Sequence, residues 1–273
     1  MPVNVGSTSS TGYLVTPTKP IRDNLQLFLD PANETSYAGG TSTSVKDLSA
    51  VNGSDNIFTA NNVSQADSQE AGYFNNFKFD GTNEYLLGSV SSTINVGTGN
   101  FTLQMWINRP PQTPPTPPLE EFFFSQGDPA SGKARFFSLG TSDGQNETSG
   151  TKLVCVIKPT NTIFSFATKS SLGTNQWINI AWAFTRTVAD NKLYLNGVAD
   201  TISQKSGNSS NWSGAGTLTN SLEPVVGAVK SKTLGIYQPS QAAFGPILYY
   251  NRLLSSDEIL HNYRLHANRY GLI

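Results

Sequence analysis

The chain has 273 residues, enough for one large β-sandwich or two ordinary domains, and enough to bury a core without disulfides or metal. Only 14% of its residues are charged, against ~25% in an ordinary soluble domain, and 18 basic side chains nearly cancel 19 acidic ones. That balance excludes the clustered Lys and Arg of a nucleic-acid-binding surface, and the single cysteine, Cys155, excludes an internal disulfide and a multi-thiolate zinc site.

The opening Met1-Pro2-Val3-Asn4-Val5-Gly6 lacks the basic and apolar regions of a secretory signal. No apolar run approaches the ~18 residues of a membrane span. Synthesis and folding in a cytoplasm, without membrane insertion, are therefore expected.

Helical periodicity is nearly absent. Short runs alternating apolar and polar residues recur between Gly, Asn, Asp and Ser clusters, the pattern of a sandwich or barrel. Residues 1–22 are polar and proline-punctuated, with one apolar island, Tyr13-Leu14-Val15, and read as an extended arm able to dock on its own domain or a neighbour. The first strand is Leu25-Gln26-Leu27-Phe28-Leu29, which Pro31 ends. Val45, Leu48, Ile57 and Phe58 suggest short irregular strands. Phe77, Phe79 and Tyr85 surround a turn at Asp80-Gly81-Thr82-Asn83.

Phe101 to Asn108 is the clearest strand, with Phe101, Leu103, Met105 and Ile107 on one face. Trp106 lies on the other, among polar residues, which marks that face as covered or as a contact surface. Residues 109–118 read Arg-Pro-Pro-Gln-Thr-Pro-Pro-Thr-Pro-Pro. They cannot pair in a sheet and predict a polyproline II loop of about 30 Å. Strands resume at Glu121–Ser125 and are expected near 134–139, 152–158, 162–168 and 177–186. Cys155, within Leu153-Val154-Cys155-Val156-Ile157, reads as a buried core thiol.

Asn196-Gly197 joins Leu193-Tyr194-Leu195 to Val198–Ile202 as a hairpin, because both turn positions need positive φ. Residues 203–221 are Ser/Gly/Asn-rich, with Trp212 standing alone. Strands return at Val225–Ala228 and Ile247–Tyr250. The last element is a helix: Ser255 caps it, Glu258 completes a capping box, and Ile259, Leu260, Tyr263 and Ala267 form one apolar stripe. Gly271 can terminate the helical region.

Catalytic signatures are absent. His261 and His266 are ~140° apart around the helix and cannot share a metal. There is no nucleophile elbow and no phosphate-cradling loop. No strand carries the paired carboxylates of a glycosidase. Asp30, Asp80, Asp190, Asn191 and Asp200 are possible calcium ligands, though each is also an ordinary turn former.

The ordered series Phe79–Tyr85, Phe101–Ile107, Trp177–Trp182, Lys192–Gly197 and Tyr249–Ser255, with the helix to Tyr263, resembles the laminin G-like / concanavalin A-like jelly-roll family across about 24–273. Leu25–Asp30 and Asn262–Leu272 resemble the version found in tailed-bacteriophage virion proteins. The resemblance implies an all-β, two-sheet antiparallel jelly-roll sandwich with one short C-terminal helix. It also implies a class that binds glycans or proteins and seldom catalyses. The organisation expected is an arm at 1–22, then a domain at 23–273 interrupted by the proline loop.

Two functions follow as expectations. One is a non-enzymatic virion structural protein, a capsid decoration or tail-fibre component, whose contacts with other virion proteins or its own copies use Tyr13, Leu14, Val15, Pro114 and Pro115. The alternative is a carbohydrate-binding module for host glycans, with Trp212 and Tyr237 as stacking platforms.

Overall fold

Alternating side chains point to opposite faces of a strand, and this chain uses that alternation nearly throughout. The computed structural model describes residues 17–39, 42–49, 57–65, 76–89, 94, 96–111, 121–129, 136–141, 152–158, 164–187, 190–206, 217–219 and 221–273. In chain order the strands are β1 (Leu25–Leu29), β2 (Ser44–Lys46), β3 (Ile57–Asn61), β4 (Ser64–Gln65), β5 (Phe77–Lys78), β6 (Tyr85–Gly88), β7 (Phe101–Asn108), β8 (Phe122–Gly127), β9 (Phe136–Gly140) and β10 (Lys152–Lys158). They continue with β11 (Phe164–Ser171), β12 (Trp177–Phe184), β13 (Lys192–Leu195), β14 (Val198–Asp200), β15 (Ile202–Ser206), β16 (Val225–Val226), β17 (Val229–Ser231), β18 (Gly235–Tyr237) and β19 (Ala243–Tyr250). Helix α1 (Ser256–Ala267) and a 3₁₀ turn at Asn268–Tyr270 close the fold.

These strands build a jelly-roll sandwich of antiparallel sheets. The front sheet runs β14-β13-β12-β7-β19-β5-β4, with β1 also paired to β19. The back sheet runs β15-β11-β10-β9-β8-β16-β6-β3-β2, and β17 and β18 pair only with each other. The expected single strand Val198–Ile202 is split at Thr201, where the chain passes from front sheet to back sheet. The core holds the predicted inward faces: Phe101, Leu103, Met105 and Ile107 from β7, and Ile178, Ile180, Trp182 and Phe184 from β12. Cys155 is buried among them, and burial pushes its thiol well above the ordinary range.

Helix α1 covers the outer face of the front sheet. Its Ser255–Glu258 capping box forms as expected. Ile259 packs on Leu25, Phe28, Ala181, Tyr194, Leu248 and Tyr250. A buried polar network then fastens helix to sheet. Gln104 Nε2 donates to Asn179 Oδ1 at 2.8 Å and to the Ile259 carbonyl at 3.0 Å. Asn262 Nδ2 donates to Gln104 Oε1 at 3.2 Å and to Tyr250 Oη at 3.0 Å.

The network also holds the segment before β1. The Ile21 amide donates to Asn262 Oδ1 at 3.0 Å, and Tyr250 Oη donates to the Ile21 carbonyl at 3.0 Å. The end of the predicted arm is thus packed into the body, with Ile21 buried. Replacing Asn262 by Leu strands the Ile21 amide and several side-chain groups without partners. The expected loss is about 1–3 kcal/mol, read by urea unfolding. An unchanged midpoint would mean the network is not integral to the fold. No helix among the described residues is long and apolar enough to cross a membrane.

Candidate functional site

The β17–β18 hairpin lies over the back sheet. Its register pairs Val229 with Tyr237, Lys230 with Ile236 and Ser231 with Gly235. Cross-strand partners share a face, so Val229 and Tyr237 turn down while Lys230 and Ile236 turn outward. Val229 and the half-buried Tyr237 complete a cluster with Phe122, Val154, Val156 and Ala167 on the sheet's outer face.

The hairpin's turn is tightly held. Ser231 Oγ accepts from the amides of Thr233 and Leu234 at 3.2 and 3.4 Å, and Asp128 Oδ2 accepts from the Lys232 amide at 3.2 Å. Gly235 supplies a φ of 72°. This fixes Leu234 outward at 63% exposure. Lys230 Nζ is paired with Glu223 at 2.8 Å. Tyr237, predicted as a glycan platform, therefore offers only part of its ring to solvent. Trp212, Tyr13, Leu14, Val15, Pro114 and Pro115 lie outside the described residues.

The two described ends of the proline-rich segment meet in a buried ion pair. Arg109 follows β7 and Glu121 precedes β8; their side chains are 1% and 2% exposed and in direct contact. Burial raises the Glu121 carboxyl above the usual range, and Arg109 opposes that rise. Neighbouring backbone closes around the pair: the Arg109 carbonyl accepts from the Asn175 amide at 2.7 Å, and the Glu121 carbonyl from the Thr141 amide at 3.0 Å.

Other acidic and amide side chains are engaged in ion pairs or local hydrogen bonds. Asp30 takes both guanidinium nitrogens of Arg269, at 2.7 and 3.0 Å. Glu258 takes both of Arg252, at 2.9 and 2.8 Å. Asp80 Oδ1 accepts from the Thr82 amide at 2.7 Å within its turn. Asp200 Oδ2 accepts from the Ser170 amide at 2.9 Å. Asn191 Oδ1 accepts from Trp182 Nε1 at 3.4 Å. Among the described residues no three His, Cys, Asp or Glu side chains group to hold a metal ion.

Under α1 the aromatic residues form a continuous stack. Trp177 lies on Tyr270 with centroids 4.2 Å apart, Tyr270 on Trp106 at 4.5 Å, and Trp106 on Tyr263 at 5.5 Å and 18°. Trp106 is thus covered rather than a contact surface. Tyr263, at the end of the stack, is half-buried. The Asn196-Gly197 turn abuts it: a Cβ at Gly197 would stand 3.2 Å from Tyr263 Cβ and Cγ and 3.0 Å from Leu260 Cδ1. The sequence placed Tyr263 on the helix's apolar stripe, and nothing in helical spacing shows that it ends a stack of rings.

Comparison with known proteins agrees with this architecture. No curated protein sequence matches the chain. The binding domain of Paraclostridial Mosquitocidal Protein 1 is 17% identical over 89% of this chain and 52% of its own, with a TM-score of 0.58. The receptor binding domain of botulinum neurotoxin C/D mosaic serotype is 14% identical over 89% of this chain and 51% of its own, at 0.59. Trypanosoma rangeli sialidase, in complex with sialic acid, is 13% identical over 96% of this chain and 36% of its own, at 0.60. The chain therefore spans about half or less of these structures, and the likeness is one of fold. A laminin G profile described as the concanavalin A-like lectin/glucanases superfamily matches residues 80–260, which cover β6 through the start of α1, and the chain belongs to that superfamily.

Proposed function

We propose that this domain is a non-catalytic recognition module that binds cell-surface glycans. The observation carrying this reading is the state of the carboxylates that are buried among the described residues. Glycan hydrolysis needs two acids facing one bond, ~5–10 Å apart and open to substrate. Here Glu121, Asp30 and Glu258 are each locked to an arginine in a structural role. What is presented instead is a rigid sandwich with polar loops and partly exposed aromatic rings, the combination on which sugars stack and hydrogen-bond.

The neighbours point the same way. One is described as a receptor binding domain, and another belongs to a neurotoxin whose cell entry is "dependent upon interaction with two ganglioside molecules". A glycan array probed with a multivalent form of the full chain tests the reading, since clustering makes weak sites measurable. Binding without release of reducing ends is expected. A blank array, or turnover lost in a single acid-to-amide variant, would overturn it.

The finer proposal is that the module is carried on a virus particle. It rests on Leu25–Asp30 and Asn262–Leu272, the two segments that resemble bacteriophage virion proteins. They meet in space through the Asp30–Arg269 pair.

A further inference from the structure

The exposed end of the aromatic stack has the chemistry of a binding site. Tyr263 rests one ring face on Trp106, nearly parallel, and that indole packs on Tyr270, which in turn stacks on Trp177. A platform so backed loses little freedom when a ligand stacks on it. The Asn196-Gly197 turn frames one side, and only the missing side chain at Gly197 lets it come so near.

The polar groups of this region are the Tyr263 hydroxyl, Asn196 beside Gly197 in the turn, and Arg264, the next residue along α1. Asn196 is exposed, and its Oδ1 accepts from the Asn179 amide at 2.9 Å, which turns its Nδ2 donor away from the sheet. Tyr263 has no hydrogen bond through its hydroxyl to another described residue. Arg264 is half-exposed and has no acidic partner among the described residues, whereas Arg269 is held by Asp30. Its charge reaches the Tyr263 phenol, where it opposes the upward push of burial.

We propose that Tyr263, Arg264 and Asn196 form a contact site for a carboxylated sugar, resting on the glycan-binding reading above. The pyranose stacks on Tyr263, the carboxylate meets the Arg264 guanidinium, and ring hydroxyls bond to Asn196 Nδ2 and Tyr263 Oη. A guanidinium with no acidic partner among the described residues, one position on from a stacking ring, would select an acidic sugar over a neutral one of the same shape. The ion pair is only partly buried, so its contribution falls as salt rises.

The test uses the full chain immobilised and three multivalent polymer probes: a sialylated glycan, a uronate-bearing glycan and a neutral galactoside. The wild type is expected to prefer an acidic probe, more so at low salt. Tyr263→Ala weakens that binding about tenfold or more, while Tyr263→Trp retains it. Arg264→Gln removes the preference for acidic probes without abolishing stacking. Thermal melts of each variant separate lost contact from lost fold, and Tyr263→Trp keeps the test decisive if the alanine variant unfolds. If acidic glycans bind equally well to folded Tyr263→Ala, or binding is lost instead in Tyr237→Ala, this site is wrong although the module still binds glycans. If the wild type binds a neutral probe alone, the acidic class is wrong. If it binds no glycan, the site and the wider reading fall together.

Discussion

Replacing Arg109 by Met is expected to destabilise the domain by about 3–5 kcal/mol, the usual penalty for leaving one member of a buried ion pair alone. Glu121 is 2% exposed and would face an apolar thioether chain instead of a cation. The effect has a pH signature. Burial already raises the Glu121 carboxyl above the ordinary value, and Arg109 is the principal group opposing that rise. Without Arg109 the folded-state pKa climbs further. A carboxyl with a raised folded pKa carries its full penalty above that pKa, and the penalty fades as pH falls toward the unfolded value of about 4.3.

Urea titrations of Arg109→Met at several pH values should therefore converge on the wild type in acid. The double variant Arg109→Met/Glu121→Leu should recover much of the loss at neutral pH, since apolar pairs often replace buried ion pairs without cost. If the single variant costs less than about 1 kcal/mol at pH 7, the pair is solvated and does not staple the segment. The surroundings argue for a closed site. Gly140 stands so close to β8 that a Cβ there would lie 1.9 Å from the Glu121 carbonyl.

The same close fitting explains what the sequence could and could not reveal. The inward faces of β7 and β12 were legible because burial of one face imposes strict alternation. The helix was legible from its capping box and apolar stripe. Three features escaped. β19 begins at Ala243, four residues before the expected start at Ile247, because Pro246 reads as a strand breaker. The structure places a register shift between Phe244 and Ile247, and that bulge accommodates the proline. The Gly beside it is equally specific: a Cβ at Gly245 would meet Tyr270 Oη at 2.1 Å.

The β17–β18 hairpin has no long alternating apolar code, since Lys230, Ser231, Lys232 and Thr233 run together through its middle. Only Gly235 marks its turn. Asn262 and His266 look like solvent-facing helix residues yet are buried, because the sheet beneath offers polar partners to one and an aromatic ring to the other. As for the candidate site, Tyr263 and Asn196 were visible singly as a helix residue and a turn residue. Their meeting depends on how α1 crosses the front sheet, which no local pattern encodes.

His266 makes the domain acid-sensitive in a defined window. It is buried on the inner side of α1, with its ring 6.2 Å from Phe28 and no hydrogen-bond partner for Nε2. Desolvation, and then the nearby Arg269 charge, push its pKa down to about 4, against the smaller pull of Asp30. The unfolded chain binds this proton near pH 6.5. Between these two values the unfolded state holds the proton and the folded state does not, so acid favours unfolding. Stability from this group is complete above pH 6.5, declines as pH falls through the window, and levels off below about pH 4. The shift corresponds to about 3 kcal/mol in all. Glu258, held low by Arg252, adds a loss at the acid end of the range, and Glu121 acts in the opposite sense. The difference between wild type and His266→Phe removes both contributions. Chemical unfolding of the two proteins from pH 7.5 to 4 should give stability curves that diverge as acid is added, with the wild type falling more steeply. Parallel curves would mean that the imidazole titrates normally and is not enclosed by α1 and β1. Protonation would put a second cation beside Arg269, in competition for Asp30. The first contact to loosen is therefore the one joining the C-terminal turn to the end of β1.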